Sequence, residues 1–300
     1  MSVAEDSSML VIILDVNPVW WGQRRLRGEA SLSHCLDSAL VFANCYLASS
    51  RRRHLAFLAC GQRDSRFLYP TRSTSGLEQD AVQESRDGRL ELLSTLDDTV
   101  VREAVAMLAR VEVTADMTTG SLTAGALAKA LCYINRMRKQ DQVHGGEMKG
   151  RIVLLAACEE AQYMNLMNVA FTAEKQDVCV DVCALGSESS LLQQVSGLTG
   201  GLYLRVPEQE SLLQYLQWVF LSEPDVRRRL LLPRPSRSDV RPACFCHRQL
   251  LDIAYVCSVC LSIFCTFSPI CSTCETAFHL ALPPSLRGRK RKKGGSLKTA

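Results

Sequence analysis

No stretch of about 18 apolar residues free of charge occurs in the 300 residues, so no segment reads as a membrane-spanning helix. The G-x-x-x-x-G-K-[ST] phosphate loop is missing, and the chain does not read as a motor that hydrolyses ATP. Also missing are G-x-G-x-x-G after a strand and the G-x-S-x-G nucleophile elbow. Histidine is scarce, and His34, His54 and His144 have no cysteine or serine arrangement that would make a nucleophile pair. These absences favour a non-catalytic protein with no small-molecule substrate. No unit recurs at a period of about 20–50 residues, which excludes a solenoid or propeller. The first eight residues carry acids where a secretory signal carries basic residues, so the protein is not expected to be secreted.

Cysteine, by contrast, is abundant. Seven of the 14 are scattered singly through apolar segments, while seven crowd between Cys244 and Cys274. In a reducing compartment, scattered cysteines behave as small apolar residues, and a dense, regular cluster behaves as a metal site. Cys257-Ser-Val-Cys260 and Cys271-Ser-Thr-Cys274 are paired knuckles, which supply the four soft ligands of a tetrahedral structural Zn²⁺. Four protein ligands leave no position for an activated water, so this zinc would be structural. Cys244, Cys246, His247 and Cys265 are left over. They make either a second zinc site or a set of thiols packed around the first.

A hydrophobic fraction of 47% against 22% charged can bury a proper core. The basic excess is local: Arg287 to Lys298 holds seven of the 35 Lys and Arg, leaving 28 basic against 31 acidic residues elsewhere, net −3. The body is therefore not a nucleic-acid surface by charge. The dense run from Arg287 to Lys293 suits a nuclear import signal or a phosphate-binding tail.

Over the first 220 or so residues, short apolar runs alternate with helical spacing. Met9–Leu14, His54–Cys60, Arg151–Ala157, Asp177–Ala184 and Leu202–Val206 read as strands, with Arg66–Tyr69 as a paired extension. Ser31–Ala48, Asp98–Arg110, the stripe Leu127 to Met137, Glu160–Lys175, Leu191–Gly197 and Ser211–Leu221 read as helices. The pattern predicts an open, mostly parallel α/β sheet with helices on both faces. The expected organisation is a domain over 1–222, a Pro/Arg-rich linker over 223–242, a zinc module over 243–282 and a basic tail over 283–300. Residues 71–88 read as a surface loop.

Asp15 and Asn17 stand just past the first strand, where open α/β sheets collect ligands. Position 19 is Val, which cannot bind Mg²⁺, so a turn and helix-entry role is preferred over an ion site. Trp20 and Trp21 follow. Two adjacent indoles are not expected to both face inward, which leaves core packing combined with a partner contact, or lateral packing under the loop.

The segments Asp15 to Trp21, Phe67 to Pro70, Leu127 to Ile134, Gln162 to Asn165, Thr199 to Tyr203 and Tyr255 to Cys265 together resemble the family of 34-kilodalton-type core subunits of TFIIH. That resemblance implies a von Willebrand factor A-like domain followed by a C4 zinc finger. It also implies a nuclear scaffold in RNA polymerase II initiation and nucleotide excision repair. Other TFIIH core subunits are the implied partners, chiefly a sister subunit with an A-type domain and zinc modules that regulates the repair helicase. DNA contact would be indirect or weak. Metal-binding A-type domains carry D-x-S-x-S, of which only Asp15 is kept here. The competing reading is an independent zinc-finger nucleic-acid-binding protein that uses the basic tail.

Overall fold

The computed structural model describes residues 7–70, 88–111, 117–143, 146, 148–157, 163–227, 229–233, 241–242, 244–247, 249 and 251–278. The expected loop up to residue 87, residues 234–240 of the expected linker and the basic tail lie outside the described residues. The chain divides into two compact units between residues 239 and 240.

In the first unit the apolar runs become strands β1 (Ser7–Asp15), β2 (Arg53–Cys60), β3 (Ser65–Tyr69), β4 (Met148–Ala156), β5 (Val178–Ala184) and β6 (Tyr203–Arg205). They form one sheet in the order β3-β2-β1-β4-β5-β6. Only β3 runs antiparallel. This is the open, mostly parallel sheet with helices on both faces that was expected. Strand β1 is central, with Ile12 paired to Phe57 on one side and Val153 on the other. Its side chains alternate: Leu10, Ile12 and Leu14 enter one core, while Met9, Val11 and Ile13 enter the other. A strand apolar on both faces needs cover on both, and helices supply it.

One face carries α1 (Pro18–Leu26), α2 (Leu32–Ala48) and α3 (Gly88–Leu108); the other carries α4 (Thr123–Val143), α5 (Tyr163–Lys175) and α6 (Ser190–Leu198). Helix α3 starts ten residues before the expected Asp98, and its buried stripe is Leu96, Val100, Ala104 and Met107. The closing helix expected over Ser211–Leu221 is not uniform. It runs as a 3₁₀ turn Gln209–Ser211, α7 (Leu212–Tyr215) and a π-helical turn Leu216–Phe220.

The expected linker begins inside the first unit. Helix α8 (Pro224–Arg227) places Arg227 in a buried cluster with Asp181 of β5 and Arg151 of β4. The Asp181 carboxylate accepts Arg227 Nη1 at 2.7 Å and Nη2 at 2.6 Å, and Arg151 Nε at 2.6 Å. Arg151 also donates to the carbonyls of Phe220 and Ser222. Burial works against the Asp181 charge, but the two guanidinium groups outweigh it and hold its pKa below the usual carboxylate range. A basic run that resembles solvated linker therefore contributes an internal ligand.

The described residues of the second unit have little regular structure. Two short strands, β7 (Tyr255–Val256) and β8 (Ile263–Phe264), pair antiparallel, and an isolated bridge joins Ile270 to Ala277.

Candidate metal centre

Each Cys-x-x-Cys segment folds as a knuckle of the same construction. The Cys257 N–H donates to the Ser262 carbonyl at 2.9 Å, and the Leu261 N–H returns to the Cys257 carbonyl at 3.0 Å. In the second knuckle Cys271 donates to Thr276 and Glu275 to Cys271, both at 2.9 Å. Leu261 and Glu275 take the equivalent left-handed position, with φ of 59° and 60°. This turn sends both thiols of a knuckle the same way.

The four sulfurs lie within 4.8 Å of one another, with Cys257 and Cys274 at 3.7 Å and Cys260 and Cys271 at 3.6 Å. Thiolates about 2.3 Å from a tetrahedral Zn²⁺ are separated by about 3.8 Å, so the set fits that ion. The Ser262 hydroxyl lies 3.1 Å from Cys260 Sγ, and with the Ser262 backbone it lowers that thiol's pKa to about 6. Thr276 acts likewise on Cys274, with its hydroxyl at 3.2 Å. Both thiols are thereby biased toward the thiolate a metal requires.

Cys244, Cys246, His247 and Cys265 also come together, their ligand atoms all within 4.8 Å. Cys265 Sγ lies 3.3 Å from Cys246 Sγ and 3.3 Å from His247 Nδ1. The Cys244 N–H donates to the Gln249 carbonyl at 2.9 Å, repeating the knuckle bond, so His247 occupies the place of a second knuckle cysteine. The sequence signal for this third knuckle was Cys244-x-x-His247, hidden inside the looser Cys-x-Cys-His. Three thiols and one imidazole are a Cys₃His zinc set.

The strand-end motif in the first unit is bonded to neighbouring protein groups. Asn17 Oδ1 accepts the Val19 N–H at 3.0 Å and caps α1, with Pro18 in its first turn. Its amide donates to the carbonyls of Thr118 and Gly120 at 3.2 and 3.0 Å. Asp15 Oδ1 accepts the Asn17 N–H at 3.1 Å and the Ser121 hydroxyl at 2.7 Å. Thr118, Gly120 and Ser121 went unnoticed in the sequence, being a hundred residues away.

Both tryptophans are buried, against the expectation that two adjacent indoles would not both face inward. Trp20 and Trp21 are 8% and 5% exposed, with ring centroids 4.8 Å apart, edge to face. Adjacent helical residues are about 100° apart, so a wide apolar face buries both. Trp21 Nε1 donates to the Asp15 carbonyl at 2.8 Å. The Trp20 ring packs near Gly186, where a Cβ would lie 2.3 Å from the Ala157 carbonyl oxygen.

With this geometry in view, comparison with known proteins is decisive. Residues 7–275 match the family model described as Transcription factor Tfb4. The chain belongs to the Tfb4 family. Among Tfb4-family relatives, General transcription factor IIH subunit 3 of Dictyostelium discoideum is 37% identical over 259 residues, covering 82% of this chain and 68% of the relative. The General transcription and DNA repair factor IIH subunit TFB4 of Arabidopsis thaliana is 33% identical over 286 residues, covering 92% and 90%. The crystal structure of the TFIIH p34 N-terminal domain superposes with a TM-score of 0.61 at 26% identity, covering 71% of this chain and 97% of that one.

Proposed function

We propose that this chain is a non-catalytic scaffold subunit of the TFIIH core, serving transcription initiation and nucleotide excision repair by protein docking. The observation that carries the reading is the Tfb4 match over residues 7–275, which includes both the A-type unit and both zinc knuckles. In the A-type unit, Asp15 and Asn17 hold a loop and start a helix. In the second unit, both cysteine clusters fit structural zinc, two ions per chain. Bound there, each ion would supply crosslinking only, because four protein ligands leave no position for water. The direct partner would be the sister core subunit that joins an A-type domain to zinc modules, and the protein would work in the nucleus.

The competing reading, an independent zinc-finger nucleic-acid-binding protein, would draw its cations from the basic tail alone. No Lys or Arg occurs from Gln249 to Leu286. Purification of the full-length chain from nuclear extract in high salt separates the two. Phosphate contacts weaken steeply with salt, whereas a packed interface persists. Retention of TFIIH core subunits is expected, and a chain eluting alone or with nucleic acid only would overturn the scaffold role.

A further inference from the structure

The mildly acidic balance of the body is an average, and one end of the first unit departs from it. Strands β1, β2 and β4 begin side by side there, with Ser8 paired to Arg53 on one flank and Lys149 on the other. Neighbouring strands lie about 4.8 Å apart, so Arg53 and Lys149 stand about 10 Å apart across the sheet. Ser8, Arg53 and Lys149 are in step with Leu10, Leu55 and Val153, which enter the same core, so the row belongs to one face. The turn before β2 adds Arg51 and Arg52, both exposed like Lys149, and the Arg52 carbonyl accepts the Ser8 N–H at 3.1 Å.

Arg53 is built into the fold. Its guanidinium lies 4.7 Å over the Tyr46 ring and pairs with Glu223 at 3.1 Å. Arg51, Arg52 and Lys149 extend that charge into solvent, and gathering like charges costs the folded state. Acids are kept away: no Asp or Glu occurs over 7–14, 38–63 or 148–158, and the flanking Asp6 and Glu147 lie outside the described residues. Asp141 accepts the Ser7 hydroxyl at 2.8 Å, but Ser7 is in step with Met9 and the opposite core.

The make-up of this edge selects its ligand. Among the described residues 7–9, 49–54 and 148–151 no large apolar side chain is exposed, so a protein partner would find no anchor in the row. Guanidinium forks match phosphate oxygens in pairs. About 10 Å of duplex axis carries about three phosphates of one strand, which suits a row of this length.

We infer that Arg51, Arg52 and Lys149 form a contact site for the sugar-phosphate backbone of duplex DNA. The site goes beyond the scaffold reading and does not depend on it. It belongs to the first unit, not to the zinc module and tail of the competing reading, and it holds the duplex without reading its sequence.

The test uses the full-length chain with the six tail cations from Arg287 to Lys293 changed to glutamine, so that the tail makes no phosphate contact. Binding of a short labelled duplex is followed by fluorescence anisotropy over a salt series. The same chain is then measured with Arg51→Gln, Arg52→Gln and Lys149→Gln. Each phosphate contact adds about 0.9 to the slope of log affinity against log salt, so the slope should fall by about 2–3 and the affinity at low salt by about tenfold or more. Equal slopes and affinities would overturn the inference, as would a tail-neutral chain that binds no duplex. Poly-glutamate that displaces the label as well as unlabelled duplex does would point to an acidic protein segment and overturn it too. An unchanged urea midpoint checks the fold of the triple variant. If that midpoint falls, Arg51→Gln with Arg52→Gln is read the same way, with an expected slope change of about 2. None of these failures touches the scaffold reading, which stands or falls on retention of the core subunits.

Discussion

In the first unit Cys183 is fully buried on β5 among apolar neighbours, and burial pushes its thiol up to about 12, so it stays protonated and inert. In the second unit Cys260 is only part-buried, and the groups of Ser262 pull its thiol down to about 6. The same residue type serves as filler in one region and, in the other, sits in a cluster that could hold a metal ion. The difference follows from what each unit can bury. The first unit has two apolar clusters on either side of a six-stranded sheet. Among its described residues the second unit has two-residue strands and several large apolar side chains in solvent, together with two clusters that could hold a metal ion.

The comparison breaks most visibly at a ligand. Cys271→Ser should lose one zinc and unfold the second unit, since structural zinc in small modules supplies about 10–16 kcal/mol of folding free energy. Hydrogen exchange should show the second unit unprotected and β1 unchanged. Loss of protection in both would mean the units do not fold independently.

Next in size is the buried cluster of the first unit. Asp181→Ala leaves Arg151 and Arg227 facing each other without a carboxylate, and should cost about 3–5 kcal/mol in urea unfolding. The pH dependence has a definite sign. Asp181 has a lowered folded pKa, so its stabilisation is complete above the unfolded value of about 3.9 and is lost as pH falls through the folded value. Below about pH 4 the wild-type chain should lose stability more steeply than Asp181→Asn. Equal slopes would show that the cluster is not ionised as described.

Smaller effects sharpen the contrast. Cys183→Ala should cost about 1 kcal/mol through a small cavity and leave the zinc content unaltered. A zinc change there would contradict the division of labour between the cysteines. Asn17→Ala removes the cap of α1 and should cost about 1 kcal/mol in the same denaturation, with no effect on the second unit.

Strands β1, β2 and β4 could be read from the sequence because the buried parts of parallel strands are short apolar runs, and β5 because Val178, Val180 and Val182 alternate along it. Helix α1 could not. Its apolar residues, Val19, Trp20 and Trp21, are consecutive rather than periodic, and Gly22 to Arg25 dilute the rest. The paired knuckles were plain because ligand spacing is a local property. The Asp181 cluster was not, since its partners lie 30 and 46 residues away in the chain. One clue was present: a lone aspartate inside the apolar run Val178 to Ala184 must find a cation. The exposed apolar side chains of the second unit share a cause with the missed tryptophans, because sequence pattern shows which residues are apolar without showing which are covered.

Native mass spectrometry of the full-length chain, combined with hydrogen exchange, tests the central claim most directly. The account predicts two zinc ions per chain, both removed by a strong chelator, with exchange protection lost from the second unit and kept in the first. A chain that carries no zinc and still protects residues 255–278 would contradict it.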